Sequence, residues 1–211
     1  MMFLEDLGVD KEQWAKVIYR FPGLLTYSRQ KVQVIVDFLY ESGLSSENIG
    51  KILTPWPIIV SYSVEKNLRP TVEYFRSLGV DVSVLLRKSA QTLGCNMEGN
   101  LKPVAEFFLA KGYSMEEIRT MILRYAGLYS CSLTDNLIPK WEFYLTMGYE
   151  KSELVKFPQY FSYSLEQRIR PRYVLVEESG VKMLLTQMLP LSDCDFEKVL
   201  TVKILKMVTT T

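Results

Sequence analysis

Phe157-Pro-Gln-Tyr-Phe-Ser-Tyr-Ser164, followed by Leu165-Glu-Gln-Arg-Ile-Arg-Pro-Arg172, decides the fold because most of it recurs. Related octets stand at Phe21-Pro-Gly-Leu-Leu-Thr-Tyr-Ser28, Trp56-Pro-Ile-Ile-Val-Ser-Tyr-Ser63, Ser89-Ala-Gln-Thr-Leu-Gly-Cys-Asn96 and Tyr125-Ala-Gly-Leu-Tyr-Ser-Cys-Ser132, with starts 35, 33, 36 and 32 residues apart. Self-similarity at such a period marks a stacked-repeat architecture. A glycine keeps step at Gly8, Gly43, Gly79, Gly112, Gly148 and Gly180, where each closes one apolar stretch and opens the next, as a residue just past a helix end does.

Four octets lead into a (Leu/Ile)-x-Pro step, at Leu68-Arg69-Pro70, Leu101-Lys102-Pro103, Leu137-Ile138-Pro139 and Ile169-Arg170-Pro171. Proline there fits a helix start, where its missing N–H is no loss. Apolar residues then fall at i, i+4 and i+7: Leu68, Val72, Phe75; Leu101, Ala105, Phe108; Leu137, Trp141, Tyr144; Ile169, Tyr173, Val176. That spacing draws one stripe down a helix. Between glycine and octet a shorter helix is expected, with Asp10-Lys-Glu-Gln13 and Ser114-Met-Glu-Glu117 matching a capping box and Ile49, Ile52, Leu53, Ile118 and Ile122 facing inward. Each unit is then helix, tight or 3₁₀-like octet, longer helix, and no unit can hide its stripe alone.

The expectation is an all-α, right-handed-type superhelical solenoid of helix–turn–helix units: residues 1–180 hold about five repeats, the first truncated, and residues 181–211 form a C-terminal cap of the same domain. In that cap, Met183 to Leu189 is apolar, Pro190 stops it, and Ser192 to Phe196 opens a last short helix. The start, Met1 to Asp6, reads as the middle of a repeat, which predicts a longer precursor with a targeting peptide upstream.

Composition narrows the function. The 211 residues are 48% hydrophobic and 23% charged, a globular balance, and 25 Lys+Arg against 24 Asp+Glu give a net charge of +1, so charge placement rather than total charge must carry any polyanion binding. No apolar run is long enough to span a bilayer. Cys95, Cys131 and Cys194 are too scattered for a disulfide framework or metal knuckle and are expected as reduced, buried thiols. The chain contains no histidine, which removes Ser-His-Asp and Cys-His pairs, and it has no glycine-rich phosphate loop. An enzyme, a metal and a cofactor are therefore not expected.

Cations recur in the repeat frame. Arg69, Lys102 and Arg170 occupy the middle of the Leu-x-Pro step; Ile138 is the exception, with Lys140 two residues beyond it, and Arg172 doubles the last site. At a helix N-terminus a cation opposes the macrodipole, so these five suggest phosphate contacts, although Glu65, Glu98 or Glu166 offers a local partner. A second set, Arg20, Lys88, Arg124 and Lys156, precedes the octets; there the dipole favours a cation without any ligand, so capping competes with nucleic-acid binding. Octet aromatics Tyr27, Tyr62, Tyr129, Tyr160 and Tyr163 could stack on bases, but Cys95 and Cys131 share a slot with three of them, which points to packing, as for Trp14, Trp56 and Trp141.

The Phe-Pro-x-x-x-x-Tyr-Ser octets, the Asn-Leu-x-Pro openings at Asn67, Asn100 and Asn136, the Leu-Gly turns and the terminal Leu191 to Phe196 element resemble the mitochondrial transcription termination factor (mTERF) family, in wording closest to its land-plant members. The resemblance implies a superhelix with a basic inner groove, binding of double-stranded DNA or RNA, and a chloroplast location, with mitochondrion the alternative. It also implies roles in transcription termination, transcript processing or ribosome assembly beside organellar transcription or ribosome-assembly proteins. The chain is expected to act as a monomer away from membranes, and the rival reading is a protein-interaction scaffold.

Overall fold

The computed structural model describes residues 9–210, and Gly8 and the Met1 to Asp6 start lie outside the described residues. All regular structure among these is helical. The α-helices are α1 (Trp14–Arg20), α2 (Arg29–Glu41), α3 (Ser46–Leu53), α4 (Arg69–Ser77), α5 (Val82–Ser89), α6 (Lys102–Ala110), α7 (Met115–Arg124), α8 (Ile138–Thr146), α9 (Lys151–Lys156), α10 (Arg170–Glu178), α11 (Leu185–Met188) and α12 (Asp193–Thr210). Two compact units divide at Ser130/Cys131: the first runs to α7 and the octet after it, the second holds α8 to α12.

Every octet is a 3₁₀ helix, at Pro22–Thr26, Pro57–Ser61, Ala90–Gly94, Ala126–Ser130 and Pro158–Ser162. The last residue of each octet caps the next helical turn: the side chains of Ser28, Ser63, Asn96, Ser132 and Ser164 each accept the N–H three residues on, for example Gly99 N to Asn96 Oδ1 at 2.8 Å.

Proline does not start the helix. Beyond four of the caps lies a single π turn, at Val64–Leu68, Met97–Leu101, Leu133–Leu137 and Leu165–Ile169, and only then the α-helix with proline as its second residue. Leu68, Leu101, Leu137 and Ile169 donate to the cap carbonyl five residues back, at 3.0–3.2 Å. A proline inside a regular α-helix lacks one donor and strikes the carbonyl four residues back; the wider π turn relieves both problems. The first repeat has no proline after its cap, and there Val32 donates to Ser28 four residues back in an ordinary α-helix.

The recurring glycines end each longer helix. Gly43, Gly79, Gly112, Gly148 and Gly180 all have positive φ, between 69° and 88°, which no side-chain-bearing residue adopts cheaply. The residue after each of the first three bonds back to a carbonyl five before it, as in Val80 N to Phe75 O at 3.0 Å.

The stripes face inward as spaced, with Leu68, Phe75, Leu101, Leu137 and Ile169 at 0% exposure, and Ile49, Ile52, Leu53, Ile118 and Ile122 buried on the shorter helices. In the first unit α3 packs on α5 and α5 on α7, so the short helices stack layer on layer. Two expectations fail locally. The Ser114 capping box forms, but Asp10 makes no side-chain cap bond, because a 3₁₀ turn bonded at the backbone from Gln13 N to Asp10 O takes its place. The last helix is long rather than short: α12 packs through Phe196 and Leu200, then continues for two exposed turns because nothing there breaks it.

Candidate nucleic-acid interface

Arg69, Lys102 and Arg170 each open an α-helix directly after a π turn. They therefore stand six residues beyond the cap, not beside an unsatisfied N-terminus, and the dipole argument against them lapses. Each reaches back four residues to a glutamate: Arg69 to Glu65 at 3.2 Å, Lys102 to Glu98 at 2.6 Å, Arg170 to Glu166 at 2.9 Å. Arg69 also meets Glu41 at 3.4 Å and lies over Phe38, while Arg170 lies 4.4 Å from the Phe143 ring centre. The hydrogen bond that Arg69 donates to Glu65 raises the Arg69 pKa further. Their side chains remain 38%, 41% and 46% exposed, so all three reach solvent.

Lys140 and Arg172 do not join them. Both occupy the position after proline, where the other repeats place buried Thr71 and Val104, and both are buried themselves. The Lys140 ammonium donates to Phe161 O at 2.7 Å, and burial lowers its pKa. Arg172 donates to Met188 O at 2.6 Å and Asp193 Oδ1 at 2.5 Å and stacks on Phe196, so it latches the C-terminal segment to α10. Aligning the repeats on proline sets Lys140 and Arg172 in one slot with the uncharged Thr71 and Val104, a signal that the slot tolerates burial. Tyr173, expected inside, is instead half-exposed, with its hydroxyl on Glu177.

The pre-octet cations sit in the last turns of α1, α5, α7 and α9. Arg20 donates to Thr54 O at 2.8 Å and Lys88 to Leu123 O at 2.9 Å, so each caps the end of the equivalent helix one repeat on. Lys156 lies 3.9 Å from the buried Glu153, and Arg124 is exposed. The octet tyrosines divide by position. Tyr129 and Tyr160 are fully buried, whereas Tyr27, Tyr62 and Tyr163 are half-buried against the first ring of their own octets, at centroid distances of 6.0, 5.7 and 6.2 Å. Trp141 is core, and Trp14 and Trp56 are half-buried. Cys131 is buried and Cys95 half-buried, but Cys194 is exposed on α12.

A groove of about 400 Å³ in the first unit lies between the π turn of one repeat and the octet of the next, lined by Tyr62, Lys66, Asn67, Gly94, Asn96 and Met97 among others. Sequence reasoning passed over Lys66 and Asn96. The available signal was an amide in a cap slot that serine fills in the other repeats. Among the described residues no three His, Cys, Asp or Glu side chains could hold a metal together, and no helix is long and apolar enough to cross a membrane.

Residues 1–197 match the mTERF family model. The chain is 60% identical over 189 residues to Transcription termination factor MTERF5, chloroplastic, of Arabidopsis thaliana, covering 90% of this chain and 38% of that protein. It is 27% identical to Transcription termination factor MTERF8, chloroplastic, of the same plant, covering 93% of this chain and 47% of that one, and 24% identical to Transcription termination factor 3, mitochondrial, of Drosophila melanogaster, covering 84% and 51%. The chain thus spans less than half the length of the two plant relatives. Plastid names lead these matches, in line with the plastid expectation, and no catalytic family is indicated. The all-α helical repeats, their capped octets and the family match together make this chain a member of the mTERF family.

Proposed function

We propose that this chain binds nucleic acid through its phosphates and acts in organellar gene expression, in the chloroplast, at transcription termination or transcript processing. One observation carries the binding reading: a solvent-reaching cation recurs in the same repeat slot at Arg69, Lys102 and Arg170. Their glutamate partners do not close the slot. Exposed i,i+4 pairs contribute about 0.3–0.5 kcal/mol, and a phosphate contact that releases a condensed counterion competes well with that. Lys140 and Arg172 drop out of the contact set because their charges are held inside the protein. Arg20, Lys88, Arg124 and Lys156 stay secondary, since helix capping already accounts for the first two.

The test is binding of duplex DNA, single-stranded DNA and RNA at matched ionic strength, for the wild type and for Arg69→Gln/Lys102→Gln/Arg170→Gln. The variant should bind every sequence more weakly and show a shallower salt dependence. Unaltered affinity and slope would remove these residues from the interface. The near-zero net charge supports a second reading, a scaffold for organellar transcription or ribosome-assembly proteins, for which added salt should change affinity little.

A further inference from the structure

We infer that the groove between Tyr62 and Asn96 receives the base of one unpaired nucleotide, a reading that rests on the nucleic-acid function proposed above. Its polar lining is fixed by the backbone. Asn67 Oδ1 accepts the Ser63 N–H at 3.3 Å, and Asn96 Oδ1 accepts the Gly99 N–H at 2.8 Å. Only oxygen can accept, so each amide is locked with its oxygen on the chain and its NH₂ unengaged among the described residues. Two such donors on one groove suit the carbonyl and ring-nitrogen acceptors along a base edge.

Tyr62 supplies the aromatic wall. Trp56 holds it from one side, and Gly94 lets it come close: a Cβ there would lie 2.8 Å from the Tyr62 hydroxyl oxygen and 3.2 Å from Trp56. Base–aromatic stacking is tolerant of sequence, which fits a wall built from one ring. Lys66 on the rim has no ion-pair partner among the described residues, unlike Lys102 nearby, which holds Glu98 at 2.6 Å. One free cation beside a carboxylate makes a poor site for a bare anion; an uncharged heteroaromatic ring carrying one phosphate fits better. A base inside a duplex has its faces stacked and its edge paired, so only an unpaired one can enter.

Asn67→Asp/Asn96→Asp tests this, because each aspartate keeps the oxygen that caps the backbone and loses only the NH₂. Gln30→Glu/Gln91→Glu, at exposed positions outside the groove, makes the same charge change as a control. Affinities for single-stranded RNA, single-stranded DNA and duplex DNA are measured by fluorescence anisotropy at one ionic strength. The wild type should prefer unpaired strands, and the double aspartate should lose about tenfold more affinity for them than the control does, with duplex binding falling equally in both. The ribo and deoxy arms show which sugar the groove accepts. If the aspartate variant tracks the control on unpaired strands, the groove reading is overturned while phosphate binding stands. If the wild type binds none of the three, both readings fall together.

Discussion

Arg170 and Arg172 stand two residues apart, and burial sends them to opposite tasks. Arg170 keeps nearly half its side chain in water, whereas Arg172 is 4% exposed and holds two carbonyls of the C-terminal segment. Arg172→Met should therefore lower unfolding stability by about 3 kcal/mol, since it strips the buried Met188 carbonyl of its guanidinium and removes the contact with Asp193, while Arg170→Gln should change it by less than about 1 kcal/mol as surface pairs do. Urea unfolding of both variants checks this, and equal losses would refute it. Lys140 makes a second prediction. Burial holds its pKa below the usual 10.5, so in the window between its folded and unfolded values the unfolded chain binds more protons, and stability rises with pH there. The wild type should thus gain stability relative to Lys140→Met as pH climbs towards 10.5, a difference that cancels the opposing effect of the buried tyrosines. Composition could not separate these roles, because a lysine or arginine looks the same at a solvent slot and at a buried one; only the slot shared with Thr71 and Val104 tells.

At the scale of elements, residue counting explains the π turns. The closing glycine of the first repeat stands 15 positions after its cap, Ser28 to Gly43, and in each repeat with a proline at the helix step it stands 16 positions after, as from Asn96 to Gly112. One extra residue is what a π turn absorbs, and it brings Leu101 at cap plus five into the place that Val32 takes at cap plus four. Proline and the additional residue therefore compensate each other. Pro103→Ala alone should leave the turn and the melting temperature nearly unchanged, because the count stays at 16. Deleting Gly99 while Pro103 remains should cost about 3 kcal/mol or more by forcing proline into a regular helix. Deleting Gly99 together with Pro103→Ala should recover much of that loss, and thermal unfolding of the three variants decides. The octets, glycines and stripes were legible in the sequence because each is a local pattern. The π turn was not, since a proline at a helix start and a proline after a π turn leave the same three-letter trace.

For the whole molecule the question is how few charges can hold a polyanion. Both units are close to neutral, with 15 Lys+Arg against 14 Asp+Glu up to Ser130 and 10 against 10 beyond it, so long-range attraction is weak and binding depends on discrete contacts. The first unit offers Arg69 and Lys102 in the recurring slot, and the second offers Arg170. Each phosphate neutralised on duplex DNA contributes about 0.9 to the slope of log affinity against log salt. Engagement of the first unit alone then gives a slope near 1.8, and of both units near 2.7. Between 50 and 200 mM salt these correspond to losses of about tenfold and about fortyfold. Arg170→Gln should lower the slope by about 0.9 if the second unit takes part, and leave it alone if it does not. A wild-type slope near zero would match a protein scaffold better than a phosphate-binding face, because apolar contacts do not release counterions. The measurement therefore both ranks the two functional readings and counts the repeats that touch the ligand.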